Sequence, residues 1–492
     1  MLLLAVASAL LPAGARASAF QESIVQDDNL LLASGDAVRD STLDEMRAIG
    51  ADTVRAFVPW AGVAPAPASV ARPAFDPADP AAYDPAVWDR FDELVRATAR
   101  RGMGLILTPT SPVPAWASQC PGSLVTRRTC NPNPIEFGRF MVALGLRYSG
   151  TYRDENGTRD LLPRVRRWAI WNEPNLASWL SPQFARRGRL VLPVSADRYR
   201  RLVVAATGAL RITGHGADQV LMGETAPIGR TTLPFFRRPV ATAEFLRAVL
   251  CIDRLGRGVV GLTALHLGCR VPRRLAVNAI AHHPYVQGGS RAPFTPARFD
   301  EITISSAVRL KTIMAQAVRR GRIGPGLPVY YTEFGFQTNP PDRILGVPLA
   351  VQASYLNQSE WIAFRDPAVR GVSQYLLRDD GGLGGFQTGL RFSDGRAKPS
   401  LAAYRFPIWV VRRGISVTVF GQVREAADGA TGVVRVQVRL PGRQFATYRT
   451  LTPNRKGFVT VTMWSRRGRW RLIWEPAGGT PLISRETQEA FR

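Results

Sequence analysis

The strongest constraint in this chain is a rhythm. Between residue 29 and about residue 404, short apolar runs alternate eight times with longer amphipathic stretches. The runs predict strands over 30–33, 53–58, 104–109, 165–171, 220–224, 279–283, 329–333 and 371–377. The stretches between them predict helices, among them 41–49, 85–101, 134–148, 196–212, 298–319 and 350–364. Ser41 with Glu45 close behind reads as a capped helix start. Asp84-Pro85 reads as an N-cap followed by proline at the first helical position. Repeated strand–helix alternation implies a parallel sheet, and eight units fit an α/β fold, the (β/α)8 TIM barrel. A doubly wound open sheet is the competitor. It usually carries a glycine-rich phosphate loop after its first strand, which Ala33-Ser34-Gly35-Asp36 does not supply.

After Tyr404 the period shortens to two. Runs over 415–423, 433–440, 445–451, 458–464 and 470–474 alternate apolar and polar residues between glycines and prolines. That spacing predicts a small all-β sandwich-like domain. A chain of 492 residues exceeds what one core normally serves. The division expected is therefore a leader over 1–19, a barrel over 20–405 and a β domain over 406–492. Trp464, Trp470 and Trp474 fall at strand spacing and are expected in that domain's core rather than as a carbohydrate-binding strip.

The leader is read from an apolar run over 2–11 followed by small residues with Ala-x-Ala spacing at 17–19. It is similar to an export signal peptide, although it lacks a positive n-region. At that length it is too short to span a bilayer, and no later segment qualifies, so no stable membrane insertion is expected. The expected location is secreted. Four cysteines suit an oxidising compartment. Cys120 and Cys130 bracket one irregular loop and Cys251 and Cys269 another, so local pairing within each couple is sensible; four cysteines nonetheless allow three connectivities. Zinc is disfavoured, because neither couple has C-x-x-C spacing and only His266 lies near.

The net charge of +26 invites a nucleic-acid reading. Only Lys311, Lys398 and Lys456 are lysines, however, and the arginines are spread along the whole chain. Such usage looks like a coding bias rather than a phosphate-binding surface, so no nucleic-acid partner is expected. Attraction to acidic polymers of a cell wall or surface, screened by salt, is the weaker consequence of this charge.

Chemistry is sought at the strand ends, because the βα loops of a barrel form its active face. The fourth strand runs out through Trp171-Asn172-Glu173-Pro174-Asn175, and the seventh through Thr332-Glu333-Phe334-Gly335. A buried strand has no reason to finish in an unpaired carboxylate. Two of them, three strands apart, would face each other across the mouth. Glycoside hydrolysis requires such a pair, one acid to protonate the leaving oxygen and one carboxylate to attack the anomeric carbon or activate water. Without that role Glu173 would merely cap a helix and Glu333 pair with an arginine.

Trp-Asn-Glu-Pro-Asn followed about 160 residues later by Thr-Glu-Phe-Gly resembles the clan A glycoside hydrolases. Family 5, the cellulase-type family, is the nearest likeness, and family 39 is similar around Trp-Asn-Glu-Pro-Asn-Leu. The likeness covers the barrel and stops before the C-terminal domain. It implies that Glu173 is the acid/base, that Glu333 is the nucleophile and that Asn172 bonds the sugar 2-hydroxyl. Arg55 falls where family 5 proteins carry an arginine near the nucleophile, and its charge would keep Glu333 ionised. His283-Pro284-Tyr285 resembles the family's His-x-Tyr element, with His283 touching substrate or the acid/base and Tyr285 orienting the nucleophile. His282 is expected to pack beside the barrel.

Two strand ends depart from the pattern. Thr108, Thr110 and Ser111 stand where family 5 commonly has a histidine. Gln374-Tyr375, then Asp379 and Asp380, stand where many clan members have a sugar-stacking tryptophan. Trp60, Trp116 and Trp179 on βα loops are candidates for stacking on sugar faces or for loop packing. Glu224 is a third carboxylate, placed to bind a sugar hydroxyl or to pair with arginine. No P-loop, Gly-x-Ser-x-Gly elbow or His-Glu-x-x-His is present, and no metal or organic cofactor is implied. The expected activity is a secreted retaining glycoside hydrolase acting on a poly- or oligosaccharide. A transglycosylase on the same site and a non-catalytic carbohydrate- or wall-binding protein are the alternatives. Nothing in the sequence fixes the oligomeric state.

Overall fold

The computed structural model describes residues 18, 20–156, 160–229, 238–286, 290–425 and 429–491. Eight parallel strands close into a barrel: β1 Glu22–Gln26, β2 Thr53–Pro59, β3 Gly104–Thr110, β4 Arg167–Ile170, β5 Gln219–Thr225, β6 Ala279–His282, β7 Val329–Tyr331 and β8 Val369–Tyr375. Each pairs with its neighbours in sequence, and β1 closes on β8. Eight helices alternate with them: α1 Asp36–Ala48, α2 Pro85–Arg100, α3 Pro134–Arg147, α4 Val194–Ile212, α5 Thr242–Val249, α6 Ala307–Arg319, α7 Leu349–Phe364 and α8 Pro399–Arg405. The expected (β/α)8 barrel is the observed one.

Ile24, Ile106, Ala169, Leu221, Ala279, Ala281 and Tyr330 fill the barrel interior. Tyr330 is accommodated there by Gly371, where a Cβ would stand 2.6 Å from the Tyr330 ring. A second, larger apolar layer lies between strands and helices.

Three expected boundaries are corrected. The first strand is Glu22–Gln26, and Asn29–Ala33 is a helical turn. The Leu30-Leu31-Leu32 run is too short for its apolarity to separate strand from helix. Asp27 decides it locally, because its side chain accepts the Leu30 N–H at 3.2 Å and its carbonyl accepts that of Leu31. Ser41 does not start a helix. It lies inside α1 with its hydroxyl on the Val38 carbonyl. α6 begins at Ala307, after a 3-10 turn whose cap is built by Thr303 and Ser306. Asp84 caps α2 as read, accepting from the Ala86 N–H.

The longer strands after the barrel, β9 Ile408–Arg413, β10 Ser416–Gln422, β11 Gly432–Arg439, β12 Ala446–Leu451, β13 Phe458–Trp464 and β14 Arg469–Pro476, form two largely antiparallel sheets with short strands at their margins. They enclose their own core of Val417, Val434, Val436, Trp470, Leu472 and Trp474 among others. Trp464 is not in it. Met463 takes the inward position on the edge strand β13, which leaves the Trp464 ring 75% exposed.

The sheets dock at the end of the barrel where the strands begin. Arg424 bonds Ser23 at 2.7 Å and Glu360 at 2.6 Å, and Lys456 pairs with Asp52. Trp361 and Phe364 of α7 pack against Trp409, Phe420 and Phe458.

Both disulfides are local, Cys120–Cys130 and Cys251–Cys269. Among the described residues no helix is long and apolar enough to cross a membrane. The expected leader lies outside the described residues apart from Ser18, which is buried and bonds Phe364 and Val369.

Candidate active site

At the C-terminal ends of the strands one guanidinium organises the mouth. Arg55 of β2 is fully buried, which requires every donor to find an acceptor. Its Nε and Nη2 bond Glu224 at 2.9 and 2.5 Å. Nη1 bonds Glu333 at 2.8 Å and also Gln26, and Nη2 bonds Asn172 Oδ1 at 2.9 Å. The guanidinium carbon also stands 4.7 Å from the centre of the Phe57 ring. Five strand ends thus meet on one residue: β1 through Gln26, β2 itself, and those of β4, β5 and β7.

Glu173 and Asn172 follow β4 on a backbone that leaves the strand sharply, with Trp171 at φ 66° and Glu173 at φ 37°. Left-handed non-glycine residues carry a steric cost, repaid here by fixed hydrogen bonds. The Trp171 N–H donates to Pro109 O, that of Asn172 to Thr110 Oγ1 and that of Glu173 to Glu224 O. Glu224 is itself at φ 44°, on a bulge at the end of β5 that shifts the register against β6. Gly223 permits the bulge, because a Cβ there would stand 2.2 Å from Ala281 O. Tyr199 of α4 locks it, donating to Ile170 O at 2.9 Å and accepting from the Gly223 N–H at 2.7 Å.

Opposite, Glu333 follows β7. The Tyr285 hydroxyl donates to Glu333 Oε2 at 3.3 Å. His283 Nδ1 lies 3.1 Å from Glu173 Oε1 and 3.6 Å from Glu333 Oε2. A carboxylate oxygen of Glu173, His283 Nδ1 and a carboxylate oxygen of Glu333 all lie within 4.8 Å of one another. That spacing would also admit a divalent cation, although the guanidinium already holds one Glu333 oxygen.

Burial raises the Glu173 carboxyl to about 7, and the Glu224 charge adds to this; Arg55 and a hydrogen bond from Trp179 oppose it. Burial likewise raises Glu333, against the pull of His283 and Arg55. Arg55 acts on Glu333 in the expected direction, favouring the ionised form, and desolvation is the larger, opposing effect. The charge of Glu173 adds to the rise of Glu333. Donors divide them: Arg55 and Tyr285 bond Glu333 and favour its ionised form, whereas no guanidinium bonds Glu173. Burial lowers His283, which favours the neutral ring, and the Glu333 charge opposes this.

The aromatic candidates separate. Trp179, half-buried, packs 5.5 Å from Phe57 and reaches Glu173. Trp60 is fully buried and stacks on Phe140, and Trp116 spends its N–H on Pro65 O. Neither is brought to the mouth. His282 is buried against Thr225 and Ile302 O. At the eighth strand end Gln374 braces backbone carbonyls and Asp379 pairs with Lys398, whereas Tyr375 lies within electrostatic reach of Glu333. Sequence reasoning missed Gln26, Tyr199 and Asp28. Asp28 accepts from the Phe57 N–H at 2.7 Å and from Gln26 at 2.5 Å. A first strand placed at 22–26 would have exposed Gln26 and Asp28 as polar strand-end residues; nothing local marks Tyr199.

Fold and side chains together define a (β/α)8 barrel with a paired-glutamate centre at its mouth. No family model matches the sequence, and no curated protein matches it. Among solved structures the chain is similar to GH5_18 from Streptomyces cattleya, at 18% identity, covering 79% of each chain, with a TM-score of 0.45. It is similar to the beta-glycosidase of the hyperthermophile Thermosphaera aggregans at 14% identity, covering 78% of this chain and 95% of that one, with a TM-score of 0.47. It is also similar to endo-glycoceramidase II from Rhodococcus sp. at 15% identity, covering 92% of this chain and 100% of that one, with a TM-score of 0.44.

Proposed function

We propose that the barrel is a retaining glycoside hydrolase acting on a poly- or oligosaccharide, with Glu333 as nucleophile and Glu173 as acid/base. The observation that carries this reading is the proximity of two carboxyls in unlike settings, oxygens within 4.8 Å. An inverting enzyme needs room for water between its carboxyls, about 6.5–9.5 Å, whereas a retaining pair stands about 5–5.5 Å apart.

In the first step Glu333 attacks the anomeric carbon as the bond to the leaving oxygen breaks, and that oxygen takes the proton of Glu173. In the second, ionised Glu173 removes a proton from water, whose oxygen attacks the same carbon and releases Glu333. A carboxyl held near 7 suits both halves, since it both gives and takes its proton at neutral pH. Asn172 gives its amide oxygen to Arg55, which leaves its NH2 to donate to the sugar 2-hydroxyl. Tyr285 and Arg55 hold Glu333 on line.

The paired cysteines and the leader-like start support work outside the cell. The test is a panel of aryl glycosides and polysaccharides, run beside Glu333→Gln. Turnover by the parent and at least a 10³-fold loss in the variant are expected; activity that survives the substitution contradicts the assignment.

A further inference from the structure

The C-terminal sheets carry a cavity of about 440 Å³ lined by Arg439, Arg443, Arg467, Arg469, Gly468 and Glu489 among others. Its charge is concentrated by the register. β11 and β14 pair antiparallel so that Arg439 stands directly opposite Arg469, and like charges in facing positions destabilise a strand pair. Arg439 reaches Glu486 at 2.8 Å. Arg443 and Arg469 have no carboxylate partner among the described residues. Glu489 does not offset them, because its Oε1 already accepts from Arg412, the Gly468 N–H and the Trp470 indole.

From Phe406 onward the chain holds 15 Lys and Arg against 5 Asp and Glu, a higher ratio of basic to acidic residues than in the chain as a whole, 64 against 38. Facing guanidiniums at a concavity are the arrangement that bidentate carboxylate recognition uses. Trp464, on the other sheet and outside the cavity lining, is 75% exposed and offers an apolar face of the kind that stacks on a sugar ring. A cavity of this size takes a short run of sugar residues, not a nucleic-acid duplex. The sheets dock where the barrel strands begin, so an occupant here leaves the mouth at the opposite end clear.

We propose that this cavity binds the carboxylates of an acidic polysaccharide and tethers the protein to it. The choice of a glycan rests on the reading of the barrel as a glycosidase; the choice of an anion rests on the arginines alone.

The test measures binding of the full chain to polygalacturonate and to a neutral polysaccharide by affinity electrophoresis, in low and high salt. The parent should be retarded by polygalacturonate alone, and less so in high salt. Arg443→Ala combined with Arg469→Ala should weaken that binding on the order of tenfold, with thermal unfolding at or above that of the parent. The matching pair of lysine substitutions should recover part of it. Equal retardation of parent and alanine variant, or by the neutral polymer, overturns the proposal. Displacement by single-stranded DNA at equal charge also overturns it, because the surface would then select charge and not a glycan. Binding is read without turnover, so an inactive barrel and an empty cavity give separate results.

Discussion

Glu224 holds Arg55 by two parallel hydrogen bonds, both side chains fully buried, while its own carbonyl receives the Glu173 N–H. One residue of β5 therefore positions both the guanidinium that faces Glu333 and the backbone of Glu173.

Glu224→Gln keeps the shape and removes one buried charge. That charge helps to raise both Glu173 and Glu333, so its loss lowers both. Both limbs of the kcat/KM–pH profile should move to lower pH, the alkaline limb from its starting point near 7. Stability should fall by about 3 kcal/mol, because the guanidinium loses its bidentate partner. An unmoved profile at reduced stability would make Glu224 a structural residue only.

Glu173 should leave a mark on stability as well as rate. Its folded value, about 7, lies above its ordinary one, so the folded state binds that proton more tightly than the unfolded chain. The associated stability is fully present below the ordinary carboxylate range and is lost as pH rises toward 7. Glu173→Gln removes the penalty. Urea unfolding should find the variant more stable than the parent by about 3 kcal/mol at pH 8, and nearly level with it at pH 4. A variant that is less stable at pH 8 would contradict the placement of the proton.

The β5 bulge should be intolerant of small changes. Gly223→Ala places a Cβ against the Ala281 carbonyl at a φ of 126°, which should cost about 3 kcal/mol and shift Glu224. Tyr199→Phe strips a partner from two buried backbone groups and should cost about 1–3 kcal/mol, with kcat falling more than KM rises. Gly381→Ala, with open space around it, is the control and should stay within about 0.5 kcal/mol. Thermal unfolding and steady-state kinetics on the three variants check this.

The sequence carries the barrel plainly where strands are bounded by their own chemistry. β2, β3, β5 and β7 begin within a residue of where their apolar runs do. β1 was hidden because Leu30-Leu31-Leu32 outweighs Ile24-Val25 in apolarity, while a single side chain, Asp27, turns the leucines into a helical turn. The glutamate pair was legible from strand-end position. Its supporting residues were not, since the bond between Arg55 and Glu224 spans 169 residues, and only barrel closure brings them together. The tryptophans show the same limit. Trp464 and Trp470 look alike in an alternating pattern, and which one turns inward depends on which sheet face is covered.

Double displacement by Glu333 and Glu173 at one anomeric carbon, as proposed, fixes the stereochemistry of the product. Its most direct test is proton NMR of the product in the first minutes of turnover, before mutarotation, on an aryl glycoside that the protein hydrolyses. The released sugar should first appear with the anomeric configuration of the substrate; first appearance of the opposite anomer would contradict double displacement.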